Sequence, residues 1–222
     1  MTGILVVAPH ADDETYGCGG TLLRARGEGQ AIHWLIVTFP SQAHGYSQDA
    51  ARSRTLEIER ASEFYGFASV HRLGLAPAAL DRVPRADLVA ALRTVVSEIA
   101  PGTLYLPFPG DAHSDHRAVF EAGAALAKRF RHPSIRSVRL YETPSETDFG
   151  LDPTGAPFRP NLFIDISETL AAKIEALGLY PGECGEHPFP RSVEAVRALA
   201  IRRGAAAGVA AAEAFMILRE IR

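Results

Sequence analysis

Cysteine is scarce: the 222-residue chain has two, Cys18 and Cys184, far apart in sequence. Two such residues build no disulfide framework, and a reducing cytoplasm is the expected compartment. Charge of one sign is also lacking. The 23 Lys and Arg against 26 Asp and Glu leave a net charge of −3, which excludes the basic footprint of a nucleic-acid binder. Long apolar runs are missing as well. The longest, Ala205 to Leu218, is interrupted by Glu213 and is too short to span a bilayer, so no membrane insertion is expected. Met1-Thr2-Gly3-Ile4 has neither the basic region nor the apolar core of a signal peptide. What is present is apolar content of 47%, enough to bury one sizeable core, and one domain over residues 1–222 is the expectation.

The hydrophobic pattern alternates between two periods. Gly3 to Ala8 is a continuous apolar, β-branched run, as in a central parallel strand buried on both faces. Further strands are expected at Ala31–Phe39, Ser69–Leu73, Thr103–Phe108, Ser137–Tyr141 and Leu162–Ile166. Helices are expected at Thr21–Arg26, Gln48–Tyr65, Pro84–Ala100, Arg117–Phe130, Glu168–Tyr180 and Ser192–Arg203. The last tract, Gly208 to Ile221, reads as a helix whose small residues suit a subunit interface. Strands alternating with helices imply βαβ units: an α/β fold with a Rossmann-like, mostly parallel sheet flanked by helices. In such sheets ligands gather at the carboxyl ends of the strands.

Two polar clusters stand at such ends. The first strand runs into Pro9-His10-Ala11-Asp12-Asp13-Glu14, and the fourth into His113-Ser114-Asp115-His116. Topology alone therefore puts both on one edge. Neighbouring residues on an extended segment point to opposite sides, so Asp12 and Asp13 divide their work: one can join His10 on a metal while the other faces a bound water. His113 and His116 share one helix face. Two histidines and a carboxylate with an open position have the make-up of a catalytic zinc site; ferrous iron is also tolerated by such a set. The metal would acidify a water whose proton the spare carboxylate would take. Asp115 could hold an imidazole in one protonation state. The bland alternative for the acidic turn is an N-terminal helix cap.

Pro9-His10-Ala11-Asp12-Asp13-Glu14 resembles the His-Pro/Ala-Asp-Asp-Glu signature of the PIG-L/LmbE-like zinc-dependent N-acetylglucosaminyl deacetylases. His113-Ser114-Asp115-His116 is similar to that family's His-Pro-Asp-His motif. Arg54-x-x-Glu57, Pro160 to Ile166 and Ala212-Glu213-Ala214-Phe215 extend the likeness over most of the chain. The resemblance implies hydrolysis of an N-acetyl group from an N-acetylglucosamine-type sugar or its conjugate, leaving amine and acetate. It implies His10, Asp13 and His116 as zinc ligands and Asp12 as the general base. It also implies a protonated His113, paired with Asp115, steadying the oxyanion, and Arg54 near the sugar hydroxyls. His116→Ala is then expected to weaken metal binding. Two departures stand out. Ala11 replaces a frequent proline, and Ala211 stands where some members have an oxyanion-assisting tyrosine, leaving Tyr46 and Tyr141 as candidate phenols.

Several other residues carry weaker signals. Gly17-Cys18-Gly19-Gly20 does not match a dinucleotide fingerprint, and close helix packing explains it better. Glu142 could meet a sugar hydroxyl or pair with an arginine. Specificity is expected in the loops 40–47, 143–160 and 181–191. Bacterial members are often oligomeric, so a homo-oligomer is open. The competing functions are a sugar- or nucleotide-binding module without turnover and a deacylase of another amide, such as a thiol-sugar conjugate or antibiotic precursor.

Overall fold

The computed structural model describes residues 3–152 and 154–221; Met1 and Thr2, part of the stretch read for a signal peptide, lie outside them. One seven-stranded sheet organises the chain. In chain order the elements are β1 (Ile4–Ala8), α1 (Asp13–Gly27), β2 (Ile32–Thr38), α2 (Gln48–Tyr65), β3 (Ser69–Leu75), α3 (Arg85–Ile99), β4 (Thr103–Pro107), α4 (Ser114–Leu126), β5 (Ser137–Tyr141), β6 (Leu162–Asp165), α5 (Leu170–Leu177), α6 (Val193–Ala207) and β7 (Ala212–Glu220). The strand order is β3-β2-β1-β4-β5-β7-β6. β1 pairs in parallel with both β2 and β4, so the chain reverses its direction of growth between β1 and β4. That switch point opens a crevice at the strands' carboxyl ends, and both polar clusters fall there.

The five residues of β1 are all buried, because helices cover both sheet faces. Ile4, Val6 and Ala8 pack into one layer with Trp34, Ile58 and Tyr65. Leu5 and Val7 alternate into the other, with Leu92, Val96 and Val119. Buried on two sides, the strand ends abruptly, and the polar turn after it starts at the crevice.

Two expectations about chain ends are corrected. α1 starts at Asp13, well before Thr21. The glycines taken as a prelude to the helix are inside it, where any side chain would collide: a Cβ on Gly17 would meet the Tyr141 ring, and one on Gly20 would meet Ile166. Helix propensity is sacrificed for close approach. The second correction is the tract from Gly208 to Ile221. α6 stops at Gly208, whose φ of 76° is a left-handed helix end, and the chain returns as β7, antiparallel to both β5 and β6. Alanine favours helix in isolation, but the slot between two strands decides here. Ala212 and Ala214 are buried in the sheet, so they offer no small-residue surface for an oligomer. No helix among the described residues is long and apolar enough to cross a membrane.

Candidate metal and active site

The turn after β1 and the start of α4 do converge. His10, Asp13 and His116 can each aim one ligand atom so that all three lie within 4.8 Å of one another. His10 Nδ1 and His116 Nε2 are each 3.4 Å from Asp13 Oδ2. A second grouping, His10 with His113 and Asp115, meets the same distance test, but its carboxylate is engaged. Asp115 accepts the backbone N–H groups of Ala78 (2.8 Å) and Leu80 (3.0 Å) and lies 3.1 Å from His10 Nε2. In the first grouping, by contrast, Asp13 Oδ1 and His116 Nε2 are buried without a hydrogen-bond partner among the described residues. Such groups are costly to leave unpaired, and a divalent cation would satisfy both.

Electrostatics agrees with the geometry. Burial disfavours charge on Asp13, yet His116 and His10 hold its carboxyl below the ordinary value. Burial likewise opposes charge on the two imidazoles, but the carboxylates beside them prevail, raising His10 to about 9 and His116 to about 10. Asp13, Asp115 and Asp111 together make this a place that favours positive charge, which a bound cation would supply. His10, Asp13 and His116 fit a zinc or ferrous ion in number and donor type.

The cap reading of the acidic turn fails. Asp12 makes no side-chain capping bond to α1, while Asp13 Oδ2 accepts the His10 N–H at 2.9 Å. Glu14 points inward to a hydroxyl network, accepting from Thr15 (2.6 Å) and Tyr180 (2.7 Å). Asp12 is also buried. Burial and the neighbouring Asp13 raise its carboxyl, against the pull of Arg191, to about 6.

The Asp115 carboxylate lies 4.0 Å from His113 Nδ1, and its closer contacts are elsewhere. Asp115 is instead held by the segment after β3 and by His10. His113 precedes α4, and its Nδ1 accepts the Asp115 N–H at 3.1 Å, which places its proton on Nε2. Burial and the nearby His10 lower its pKa, in keeping with an Nδ1 that accepts. The carboxylate that holds His116 is Asp111, 2.8 Å from Nδ1 and steadied by the Thr147 hydroxyl at 2.6 Å. Sequence reasoning missed Asp111, although it sits in the Pro109–Ala112 loop of the motif itself.

A cavity of about 530 Å³ opens over the site, with Asp12, His10, His113 and Arg54 in its wall. That volume is ordinary for a small-molecule pocket. All three loops expected to set specificity reach it: Tyr46 from the first, Ser145 and Glu146 from the second, Glu183, Phe189 and Arg191 from the third. Arg54 donates to the Ala11 carbonyl at 2.7 Å and pairs with Glu183 and Glu57. Arg191, also missed, donates to Asp12 at 2.7 Å; a lone arginine in a Gly- and Pro-rich loop carries no local signal. Of the two candidate phenols, Tyr141 is excluded, being fully buried with its hydroxyl on the Val7 carbonyl. Tyr46 remains at the cavity wall. Glu142 is paired with Arg203 through both carboxylate oxygens.

The model of a protein family described as PIG-L, GlcNAc-PI de-N-acetylase, matches residues 5–127. Diacetylchitobiose deacetylase of Thermococcus kodakarensis is 26% identical over 206 residues, covering 86% of this chain and 71% of its own. A probable N-acetyl-alpha-D-glucosaminyl L-malate deacetylase of Bacillus anthracis is 26% identical over 185 residues, 78% of each chain. Among solved structures, a conserved protein of Thermus thermophilus superposes with a TM-score of 0.79 at 28% identity, over 100% of this chain and 97% of the other.

Proposed function

Since the chain belongs to the GlcNAc-PI de-N-acetylase family, we propose that it is a zinc-dependent N-deacetylase acting on an N-acetylglucosamine-type sugar or its conjugate, releasing acetate and the free amine. The observation that carries this reading is a second carboxylate, Asp12. Beside a trio able to hold a metal, Asp12 adds a buried carboxylate that faces the cavity and has one oxygen, Oδ1, without a partner. A site that only binds has no use for it.

His10, Asp13 and His116 would hold zinc, or ferrous iron. Bound there, the metal supplies a Lewis acid that polarises the acetyl carbonyl and makes water more acidic. The remaining steps belong to the chain. Asp12 accepts the proton that water loses on attacking the amide carbon, and delivers it to the nitrogen as the C–N bond breaks. A base with a pKa raised toward neutrality suits both halves of that transfer. His113 donates from Nε2 to the oxygen that gains negative charge, as a neutral imidazole held by the Asp115 amide. Asp115 orients His10, and Asp111 orients His116. Arg54 faces sugar hydroxyls with the edge that its Ala11 and acidic contacts leave free. Cys18 and Cys184, both unpaired thiols, suit a cytoplasmic location.

The test is acetate release from N-acetylglucosamine, diacetylchitobiose and glucosaminyl conjugates by purified protein, before and after a chelator. We expect release that the chelator abolishes and zinc or ferrous ion restores. Protein that binds no metal and releases no acetate from any of them would end this reading. A finer expectation concerns Asp111→Ala. It removes a contact to His116 without removing a donor, so metal affinity should fall about 10- to 100-fold, as read by competition with a calibrated chelator.

A further inference from the structure

Arg191 makes polar contacts with Asp12, Pro144, Ser145, Glu146 and Glu183, and nothing in the motifs calls for it. It comes immediately before α6, whose first turn is fixed by Ser192, fully buried, accepting the Ala195 N–H at 3.2 Å. The guanidinium is therefore launched from a rigid point. Its Nε donates to Ser145 Oγ at 2.8 Å and approaches the Pro144 carbonyl at 3.3 Å. One terminal nitrogen donates to Asp12 Oδ2 at 2.7 Å and lies 3.5 Å from Glu183; the other reaches Glu146 at 3.3 Å. The face of the group lies 5.0 Å over the Tyr16 ring. Ser145 holds a φ of 72°, a conformation that costs a non-glycine residue and persists only where its surroundings enforce it. Here the strained residue is the one whose hydroxyl receives Nε.

A fork spent in every direction cannot swing out to grip a substrate. What it can do is stop one carboxylate from rotating. Asp12 Oδ2 is pinned, and Asp12 Oδ1 is left as a buried acceptor with no partner among the described residues. We infer that Arg191 is a positioning residue for the deacetylation proposed above: it fixes Asp12 through Oδ2 so that Oδ1 is the oxygen that exchanges the proton. The inference rests on that reading of Asp12 as the base. A side chain that merely balanced charge among Asp12, Glu146 and Glu183 would be replaceable by any cation. A positioning fork would not, because a lysine offers a compact point charge with no fixed plane.

The deciding variant is therefore Arg191→Lys, with Arg191→Ala beside it in case the lysine finds a compensating pose. With zinc content equal to wild type, we expect kcat to fall about 100-fold, the loss that small misplacement of a reacting group causes, while KM changes less than about threefold. A crystal structure of Arg191→Lys should show the Asp12 carboxylate turned away from its wild-type orientation. A lysine variant with wild-type kcat, a rise in KM alone, or an unmoved Asp12 would each overturn the inference. Should the alanine variant fail to fold, the lysine variant decides. If wild type itself released no acetate from any sugar, the deacetylase reading would fall separately, while the orientation of Asp12 in the lysine variant would still report whether Arg191 holds it.

Discussion

Asp12→Asn keeps its metal and loses nearly all turnover. The expected fall in kcat is about 10²- to 10⁴-fold, the usual contribution of a positioned general base. Asparagine is nearly isosteric, and its carbonyl oxygen still accepts from Arg191, so the cavity wall should stand. What disappears is basicity at Oδ1, the oxygen without a partner among the described residues. Elemental analysis should return the wild-type metal ratio, because Asp12 lies outside the His10, Asp13 and His116 grouping. His116→Ala should do the opposite: it removes a buried donor, and both metal and activity go. If Asp12→Asn kept more than about a tenth of wild-type kcat, far above what loss of a base allows, the proton would have to be assigned to another group.

The second large effect is on stability. Lys173 and Glu213 are both buried and form an ion pair at 2.6 Å between α5 and β7. Glu213 also accepts two consecutive amides of α1, Gly20 at 2.9 Å and Thr21 at 2.7 Å. Lys173 donates to the Tyr16 carbonyl at 2.8 Å. The pair thus grips α1 at its glycine-rich middle, just behind the turn that carries Asp13. Glu213→Ala strands a buried ammonium and takes an acceptor from two amides, and should cost about 3–5 kcal/mol. Lys173→Met should cost a similar amount by stranding the carboxylate. The double variant should recover part of the loss, because a buried charge without a partner costs more than no charge at all. Urea denaturation of the three proteins is the measurement. Single variants within about 1 kcal/mol of wild type, the scale of an exposed pair, would show that water reaches these groups.

The elements that the sequence revealed are those whose signal is local. β1 declares itself by an unbroken apolar run, β2 and β4 by mostly apolar ones, and His10 with His116 by motifs placed at strand ends. The beginning of α1 was obscured by Gly17, Gly19 and Gly20, residues that weaken a helix alone and are demanded here by Tyr141, Tyr65 and Ile166. β7 was obscured by alanines whose helical preference is overruled by the strands on either side. Arg191 and Asp111 illustrate a further limit. Each is defined by what it touches, and Arg191 meets Asp12 across 179 positions of chain. No periodicity or spacing records such a contact.

Because Glu213 lies 193 positions from the Gly20 amide it receives, the turn that carries His10 and Asp13 has a place in time as well as in space. It leaves a ribosome well before the strand that secures it. Closing so long a loop costs entropy that only the finished sheet repays. A growing chain can lay β1 beside β2 early, yet its acidic turn must wait for the β7 strand before the helix behind it is held. The arrangement postpones the finished grouping of His10, Asp13 and His116 until the fold around it is complete.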